Sequence, residues 1–159
     1  MKKIVLLIEN KKEKARPLIT TYNLREKRGK MKILVAEDNP VNQKLIKRIL
    51  EKRGADVMLA ENGKKAVERF SKEYFDIILM DIQMPNMDGV QAAAEINGIL
   101  SRDPHARKIP IIALTAYALA GDKHKFLSEG MDDYLSKPLR SEELLKILKK
   151  WLPDVATTD

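Results

Sequence analysis

Cysteine is absent from the 159 residues of this chain, and histidine occurs only twice. The absence of thiols excludes disulfide frameworks, thiolate zinc sites and cysteine nucleophiles. With so few histidines, a multi-histidine metal site is not expected either. The composition therefore fits a reducing compartment and a chemistry that relies on oxygen ligands.

A long apolar run is also missing. The longest one, residues 109–120, has 12 residues, whereas a transmembrane helix needs about 20. The apolar run at residues 4–8 is followed at once by charged residues, so it is too short for the core of a signal peptide. We expect no membrane insertion and a cytoplasmic location, either alone or as the cytoplasmic part of a larger protein.

The net charge of +7 is concentrated at one end of the chain. Residues 1–30 hold ten Lys/Arg and three Asp/Glu, whereas the remaining residues hold 20 of each sign. This basic segment has a single aromatic residue, Tyr22, and so lacks the interleaved aromatic residues of a nucleic-acid binder. We interpret it as a solvated basic extension or linker and expect no direct DNA binding.

The chain has the length of one domain with a short extension. Its 44% hydrophobic and 33% charged residues are typical of a globular protein rather than a disordered one. Regular hydrophobic patterns begin near residue 31 and end near residue 152. We therefore predict a basic extension at 1–30, a folded domain at 31–152 and a tail at 153–159.

Five short apolar runs alternate with amphipathic segments of helical spacing. The predicted strands are 33–36, 56–60, 77–81, 110–115 and 134–136. The predicted helices are 40–53, which Asn39 caps with Pro40 as its first residue, a segment capped by Asn62 that continues past Phe70, 90–100, 119–129 and a segment capped by Ser141 that closes near Trp151. This alternation indicates an α/β fold, with a parallel sheet covered by helices on both faces.

Polar residues follow four of the predicted strands. They are Glu37 and Asp38 after the first strand, Asp81 after the third, Thr115 after the fourth and Lys137 after the fifth. Because the carboxyl ends of parallel strands meet at one edge of the sheet, we expect these side chains to lie together.

Three neighbouring carboxylates repel one another, and a divalent cation relieves that repulsion. Oxygen ligands with retained water suit Mg²⁺. A carboxylate beside a cation and a lysine can accept a phosphoryl group, since aspartate is an established nucleophile that forms acyl phosphates. The pattern thus favours a magnesium-dependent phosphoryl site.

Residues 31–152 resemble the receiver domain of two-component response regulators. The resemblance rests on the acidic residues 37–38, on Asp81 with the loop that follows it, on Thr115 and on the Lys137-Pro138 pair. It implies a flavodoxin-like, doubly wound, five-stranded sheet in the order 2-1-3-4-5 with five helices.

The resemblance also implies roles for the acidic residues. Glu37 and Asp38 match the acidic pair of the family, and Asp81 matches the phosphoacceptor. Asp38, Asp81 and the backbone carbonyl of Gln83 match the protein ligands of Mg²⁺, which is the implied cofactor.

Four further positions match the family pattern. Thr115 and Lys137 match residues that bind the phosphoryl group, and Thr115 and Tyr134 match the switch residues. Pro138 matches a proline that follows a cis peptide bond in the family.

The implied function is Mg²⁺-dependent transfer of a phosphoryl group from phosphohistidine to Asp81. The transfer would switch a protein-interaction surface formed by the fourth helix, the fifth strand and the fifth helix. Such a domain catalyses its own phosphorylation and dephosphorylation but is not a turnover enzyme.

Segments 37–43 and 114–118 are most similar to receivers of hybrid histidine kinases. The expected phosphodonor is a histidine kinase or a histidine phosphotransfer domain, which would dock on the exposed face of the helix from Val41. A homodimer is compatible with the same resemblance. The chain is then either a fragment of a hybrid kinase or a stand-alone descendant of one.

Other interpretations remain open at this point. A receiver-like interaction module could work without phosphorylation. A dehalogenase-type phosphatase needs a second acid two residues after its nucleophile, where this chain has Gln83. Residues 1–30 could bind nucleic acid through charge, and residues 4–10, which resemble 33–39, could be the start of a second, truncated receiver.

Overall fold

The computed structural model of the chain describes residues 30–117 and 121–153. The resemblance of residues 4–10 to a second receiver, nearly all of the basic extension and most of the tail lie outside the described residues. Within the described part, five strands alternate with five helices. The strands are β1 (Lys32–Ala36), β2 (Asp56–Ala60), β3 (Ile77–Asp81), β4 (Ile111–Thr115) and β5 (Asp133–Ser136). The helices are α1 (Pro40–Glu51), α2 (Gly63–Lys72), α3 (Gly89–Ser101), α4 (Asp122–Ser128) and α5 (Ser141–Trp151).

All strand pairs are parallel, and the sheet order is β2-β1-β3-β4-β5. The predicted fold is therefore confirmed, including its order of strands. Alternate residues of each central strand enter two apolar clusters on opposite faces of the sheet. For example, Val35 and Leu79 lie in one cluster, whereas Leu34 and Met80 lie in the other. Because both faces are covered, β3 and β4 are buried at every position.

Two helix starts follow the predicted capping chemistry. The side chain of Asn39 accepts hydrogen bonds from the backbone N–H of Val41 (2.8 Å) and of Asn42 (3.3 Å), with Pro40 in the first turn of α1. The side chain of Asn62 accepts one from the backbone N–H of Lys65 at 2.9 Å. These caps direct α1 and α2 away from the carboxyl ends of β1 and β2.

Two helix predictions were wrong in detail. Ser141 is not the cap of α5 but its first residue, and Arg140 occupies the cap position without a side-chain hydrogen bond. The predicted helix 119–129 is shorter in the structure, since α4 covers Asp122–Ser128 and follows Gly121; residues 118–120 lie outside the described part. Strand ends also differ by one residue, because β4 begins after Pro110 and β5 begins at Asp133.

None of the helices in the described ranges is long and apolar enough to cross a membrane.

Candidate functional site

A cleft of about 540 Å³ lies outside the carboxyl ends of β1, β3, β4 and β5. The turns after these strands and the start of α4 form its walls. It is lined by Glu37, Asp38, Asn39, Asn42, Asp81, Ile82, Gln83, Thr115, Ala116, Tyr117, Asp122, Lys125, Phe126 and Lys137. Six of the eight residues predicted from the sequence thus share one cleft.

Three carboxylates meet at the floor of this cleft. Carboxylate oxygens of Glu37, Asp38 and Asp81 all lie within 4.8 Å of one another. Glu37 and Asp81 are buried, with 0% and 4% of their surfaces exposed, whereas Asp38 is exposed. Burial of two like charges side by side is costly without a cation, and this makes the cluster a site for positive charge.

Lys137 supplies part of that positive charge. Its Nζ lies 2.6 Å from Oδ2 of Asp81 and 2.8 Å from Oε2 of Glu37. The turn after β5 positions this side chain, because the backbone N–H of Lys137 donates to the carbonyl of Thr115 at 2.7 Å. The peptide bond between Lys137 and Pro138 is cis. One lysine thus bridges acids from two separate strand ends.

Burial and hydrogen bonding both shift the pKa values of Asp81 and Lys137. Burial raises the pKa of Asp81, and the carboxylate of Glu37 acts in the same direction. The hydrogen bonds from Lys137 and from the backbone N–H of Gln83 oppose this increase without cancelling it. For Lys137, burial favours the neutral amine, but the hydrogen bonds to Asp81 and Glu37 outweigh it and raise the pKa, so this lysine is charged at neutral pH.

Backbone contacts hold the acidic turn after β1. Oε1 of Glu37 accepts a hydrogen bond from the backbone N–H of Asn39 at 3.0 Å. The side chain of Gln43 donates to the carbonyl of Glu37 at 2.6 Å. Glu37 is therefore fixed from both sides, which leaves Asp38 as the acid that faces solvent.

The backbone under Asp81 has room for nothing larger than glycine at position 89. A Cβ added to Gly89 would lie 2.1 Å from the carbonyl oxygen of Asp81. The N–H of Gly89 also donates to the carbonyl of Ile82 at 3.0 Å. This close approach fixes the loop from Asp81 to α3 directly beneath the carboxylate.

Of the two predicted switch residues, Thr115 lines the cleft and Tyr134 does not. Thr115 lines the cleft, and its hydroxyl both accepts from the N–H of Tyr117 and donates to its carbonyl, each at 3.1 Å. Tyr134 is half-buried on β5 and is not among the residues that line the cleft. Its ring instead contacts the ring of Phe126, with centroids 6.2 Å apart.

Sequence reasoning missed the contribution of α4 to the cleft. Asp122, Lys125 and Phe126 line the wall opposite the acids, and their spacing of three and four residues puts them on one side of the helix. That spacing was visible in the sequence. It gave no sign of a site because it is also the ordinary spacing of a helix face against a core.

The donor set of the cluster fits a hard divalent cation. All available ligand atoms are oxygens, and the buried Oε2 of Glu37 lies 2.8 Å from the ammonium of Lys137. Because Asp38 is exposed, an ion bound to this cluster could keep water ligands on its solvent side. This arrangement suits Mg²⁺, which retains several waters when it binds to proteins.

The response regulator receiver domain matches residues 33–149, which is most of the chain. The chain belongs to this family. The match includes all of the sheet except Lys32 and all residues of the cleft, and the resemblance seen in the sequence is confirmed.

Curated relatives include histidine kinases, among them a hybrid kinase. The signal transduction histidine-protein kinase BarA of Shigella flexneri is 46% identical over 123 residues, which are 77% of this chain and 13% of that protein. Hybrid signal transduction histidine kinase I of Dictyostelium discoideum is 46% identical over 122 residues, 74% of this chain and 7% of that protein. The chain therefore corresponds to a small part of these relatives.

Solved receiver structures have the same fold. The receiver domain of the sensor histidine kinase PA1611 from Pseudomonas aeruginosa, with a magnesium ion in its active-site cleft, is 42% identical with a TM-score of 0.68. The match covers 79% of this chain and 99% of that one. The receiver domain of Ssk1 from Saccharomyces cerevisiae, in complex with the histidine phosphotransfer protein Ypd1, is 33% identical with a TM-score of 0.73, over 82% and 94% of the two chains.

These findings define the class of the protein. It is a receiver domain of the two-component phosphorelay type. The cleft described above lies where the acids, the hydroxyl and the lysine of its sequence motif meet.

Proposed function

We propose that Asp81 of this receiver accepts a phosphoryl group from a phosphohistidine donor in the presence of Mg²⁺. The observation that carries the proposal is the position of its carboxylate, which Lys137 contacts at 2.6 Å while two further acids lie beside it. No other aspartate of the described residues shares these neighbours. The proposed switch depends on the same cleft.

The chemistry is an in-line displacement at phosphorus. A carboxylate oxygen of Asp81 forms a P–O bond while the P–N bond of phosphohistidine breaks, and the electron pair of that bond returns to the imidazole nitrogen. Lys137 contacts both Asp81 and Glu37, so its ammonium can exchange a carboxylate for a phosphoryl oxygen without leaving the cleft. Thr115 donates its hydroxyl to the same group after release from Tyr117.

Asp38, Asp81 and the backbone carbonyl of Gln83 would hold Mg²⁺, with Glu37 as the buried acid beside it. When bound, the ion neutralises negative charge on the acids and on the transferred group. Support comes from the shared oxygen cluster and from the magnesium ion in the related PA1611 receiver.

Phosphorylation would change the surface of α4, β5 and α5. Movement of Thr115 toward the phosphoryl group would draw Tyr134 with it, so that two arrangements of this surface exchange populations. Tyr134 is half-buried at the edge strand β5, where such a movement would reach the exterior.

The proposed donor is a histidine kinase or a histidine phosphotransfer domain. The complex of Ypd1 with the Ssk1 receiver supports a donor of this kind. The proposed docking face is α1, which begins beside the cleft and exposes Val41 and Leu45 by 73% and 46%. We propose residues 31–152 as the functional unit, a cytoplasmic location for it, and residues 1–30 as a linker.

Intact mass after incubation with acetyl phosphate tests the acceptor role. We expect a single phosphoryl adduct on the wild type that needs Mg²⁺ and is removed by hydroxylamine. Asp81→Asn should lose the adduct. The control Asp56→Asn, an exposed acid at the opposite end of the sheet, should retain it.

If the folded wild type gives no adduct, the same assay is repeated with a phosphohistidine donor. Absence of transfer from that donor as well would contradict the proposal and favour a receiver-like module that acts without phosphorylation.

A further inference from the structure

Helix α4 is short and mostly exposed. It has seven residues, all described, and Phe126 is the one among them that is buried. No side-chain hydrogen bond caps its first turn. The position of this helix therefore depends largely on where the Phe126 ring lies.

The Phe126 ring has two different neighbours. It lines the cleft that contains Asp81, and it also contacts Tyr134, with centroids 6.2 Å apart and ring planes tilted by 41°. Only 5% of Phe126 is exposed, so it packs between these two places rather than extending into solvent.

The register of β4 and β5 places the relevant side chains on one face of the sheet. Ala113 is paired with Tyr134, and Thr115 lies two residues beyond Ala113 on the same face. Phe126 belongs to the apolar cluster of this face together with Ala113, and Tyr134 packs against that cluster. Thr115, Phe126 and Tyr134 are thus neighbours across a single surface.

We propose that Phe126 is the positioning residue that transmits occupancy of the cleft to Tyr134 and to α4. The inference rests on the proposed function and extends it to a residue outside the acid, hydroxyl and lysine set. Interiors are close-packed, so a displacement of Thr115 toward a phosphoryl group changes the space available to the ring beside it. The ring can respond only by moving with Tyr134 or with the helix that carries it.

The experiment uses protein labelled with 3-fluorotyrosine and fluorine NMR. The chain has four tyrosines, and Tyr134→Phe assigns the resonance of interest. Addition of Mg²⁺ with beryllofluoride, a mimic of the phosphoryl group, should shift the Tyr134 resonance of the wild type. At beryllofluoride concentrations that saturate Asp81, the Phe126→Leu variant should lose most of that shift.

Leu127→Ala is the matched control, since Leu127 is the next residue of α4 and is 43% exposed. It should retain both the binding and the shift. Phe126→Met, which keeps an apolar side chain of similar length, replaces Phe126→Leu if the latter does not fold.

The outcomes separate the two proposals. Failure of the wild type to bind beryllofluoride would contradict the proposed function and this inference together. Normal binding with an undiminished Tyr134 shift in the Phe126 variants would overturn the inference alone. Loss of binding in these variants together with the shift would also overturn it, because Phe126 would then shape the cleft rather than transmit its state.

Discussion

Gly89 shows how a residue without chemistry of its own can determine a site. It lies under the backbone of Asp81, and any Cβ would lie 2.1 Å from the Asp81 carbonyl oxygen. That atom belongs to the main chain and cannot rotate away, so a larger residue must push β3 and α3 apart. Because the Asp81 carboxylate is built on the same backbone, the displacement would reach Lys137 as well.

We expect Gly89→Ala to lower the free energy of unfolding by about 2–4 kcal/mol, by the overpacking and backbone strain it introduces. It should also reduce the rate of labelling by acetyl phosphate. Gly98→Ala in the interior of the same helix meets nothing within 4 Å and should raise stability by about 0.5–1 kcal/mol. Urea unfolding of both variants measures the difference, and equal stabilities would contradict the argument.

The residues that carry charge were the most predictable part of the site. Glu37, Asp81 and Lys137 end or follow buried strands, and parallel strands bring such ends to one edge. The distances between them could not be predicted, because they depend on how far the turn after each strand reaches. The sequence did not predict that Phe126 lines the cleft. Its apolar side chain indicates that the residue is buried, but it does not indicate which residues surround the ring.

At the scale of elements, Asp133 connects the last strand to the last helix. Its carboxylate accepts hydrogen bonds from Lys150 at 2.5 Å, from the indole of Trp151 at 3.1 Å and from the N–H of Tyr134 at 3.0 Å. Burial alone would raise the pKa of Asp133, but these contacts outweigh it and lower the pKa. The ionised form therefore secures the C-terminal end of α5 to the edge strand β5.

A lowered pKa in the folded state contributes stability above the unfolded pKa of about 3.9. This contribution is lost as the pH falls through that value toward the folded pKa. We expect Asp133→Asn to be less stable than the wild type by about 1 kcal/mol at neutral pH, with a difference that shrinks in acid. Thermal unfolding at several pH values measures it.

The matched control for this titration is Glu95→Gln, an exposed carboxylate on α3. Its stability at neutral pH should stay within about 0.5 kcal/mol of the wild type, as is usual for an exposed surface substitution. If the difference in stability between the wild type and Asp133→Asn does not become smaller in acid, the role assigned to the Asp133 carboxylate is contradicted.

Elements with strong local signals were predicted well, and the others were not. Asn39 with Pro40 gave the start of α1 because the cap and the first turn are set by neighbouring residues. The prediction that Ser141 caps α5 was wrong because a serine followed by two acids suits the first helical position as well as the cap position. The extent of α4 could not be predicted, since a helix with one buried residue has almost no periodic signal.

At the scale of the whole molecule, charge is distributed unevenly even where it sums to zero. Residues beyond 30 are neutral in total, yet the exposed side of α1 is basic. A shallow groove along it is lined by Lys44, Lys47, Arg48, Glu51 and Lys52. The exposed Val41 and Leu45 lie next to this basic row, so the face combines apolar contact area with attraction for an acidic partner.

We expect Leu45→Ala to slow phosphoryl transfer from a purified histidine phosphotransfer domain by about tenfold, the effect of losing one apolar anchor at an interface. Labelling by acetyl phosphate should be unchanged, because a small donor needs no docking face. Leu127→Ala on α4 is the control, with similar exposure and no expected effect on transfer. Phosphorylated fractions measured over time distinguish the two.

The salt dependence of phosphoryl transfer is a second test of the docking face on α1. Added salt should slow transfer to the wild type more than transfer to Lys44→Gln, since screening removes an attraction that the variant already lacks. Identical salt dependence, or equal slowing by Leu45→Ala and Leu127→Ala, would place the docking face elsewhere.

The bridge formed by Lys137 has a consequence for how the protein is made. Its partners Glu37 and Asp81 emerge from the ribosome long before it does, since Lys137 lies 56 positions after Asp81. A nascent chain that ends before β5 therefore presents the two acids with no cation from the protein between them. The negative charges of Glu37 and Asp81 therefore have no lysine partner until nearly the whole domain has been synthesised. Asp81 is made early, but the site that would let it accept a phosphoryl group is complete only at the end of synthesis.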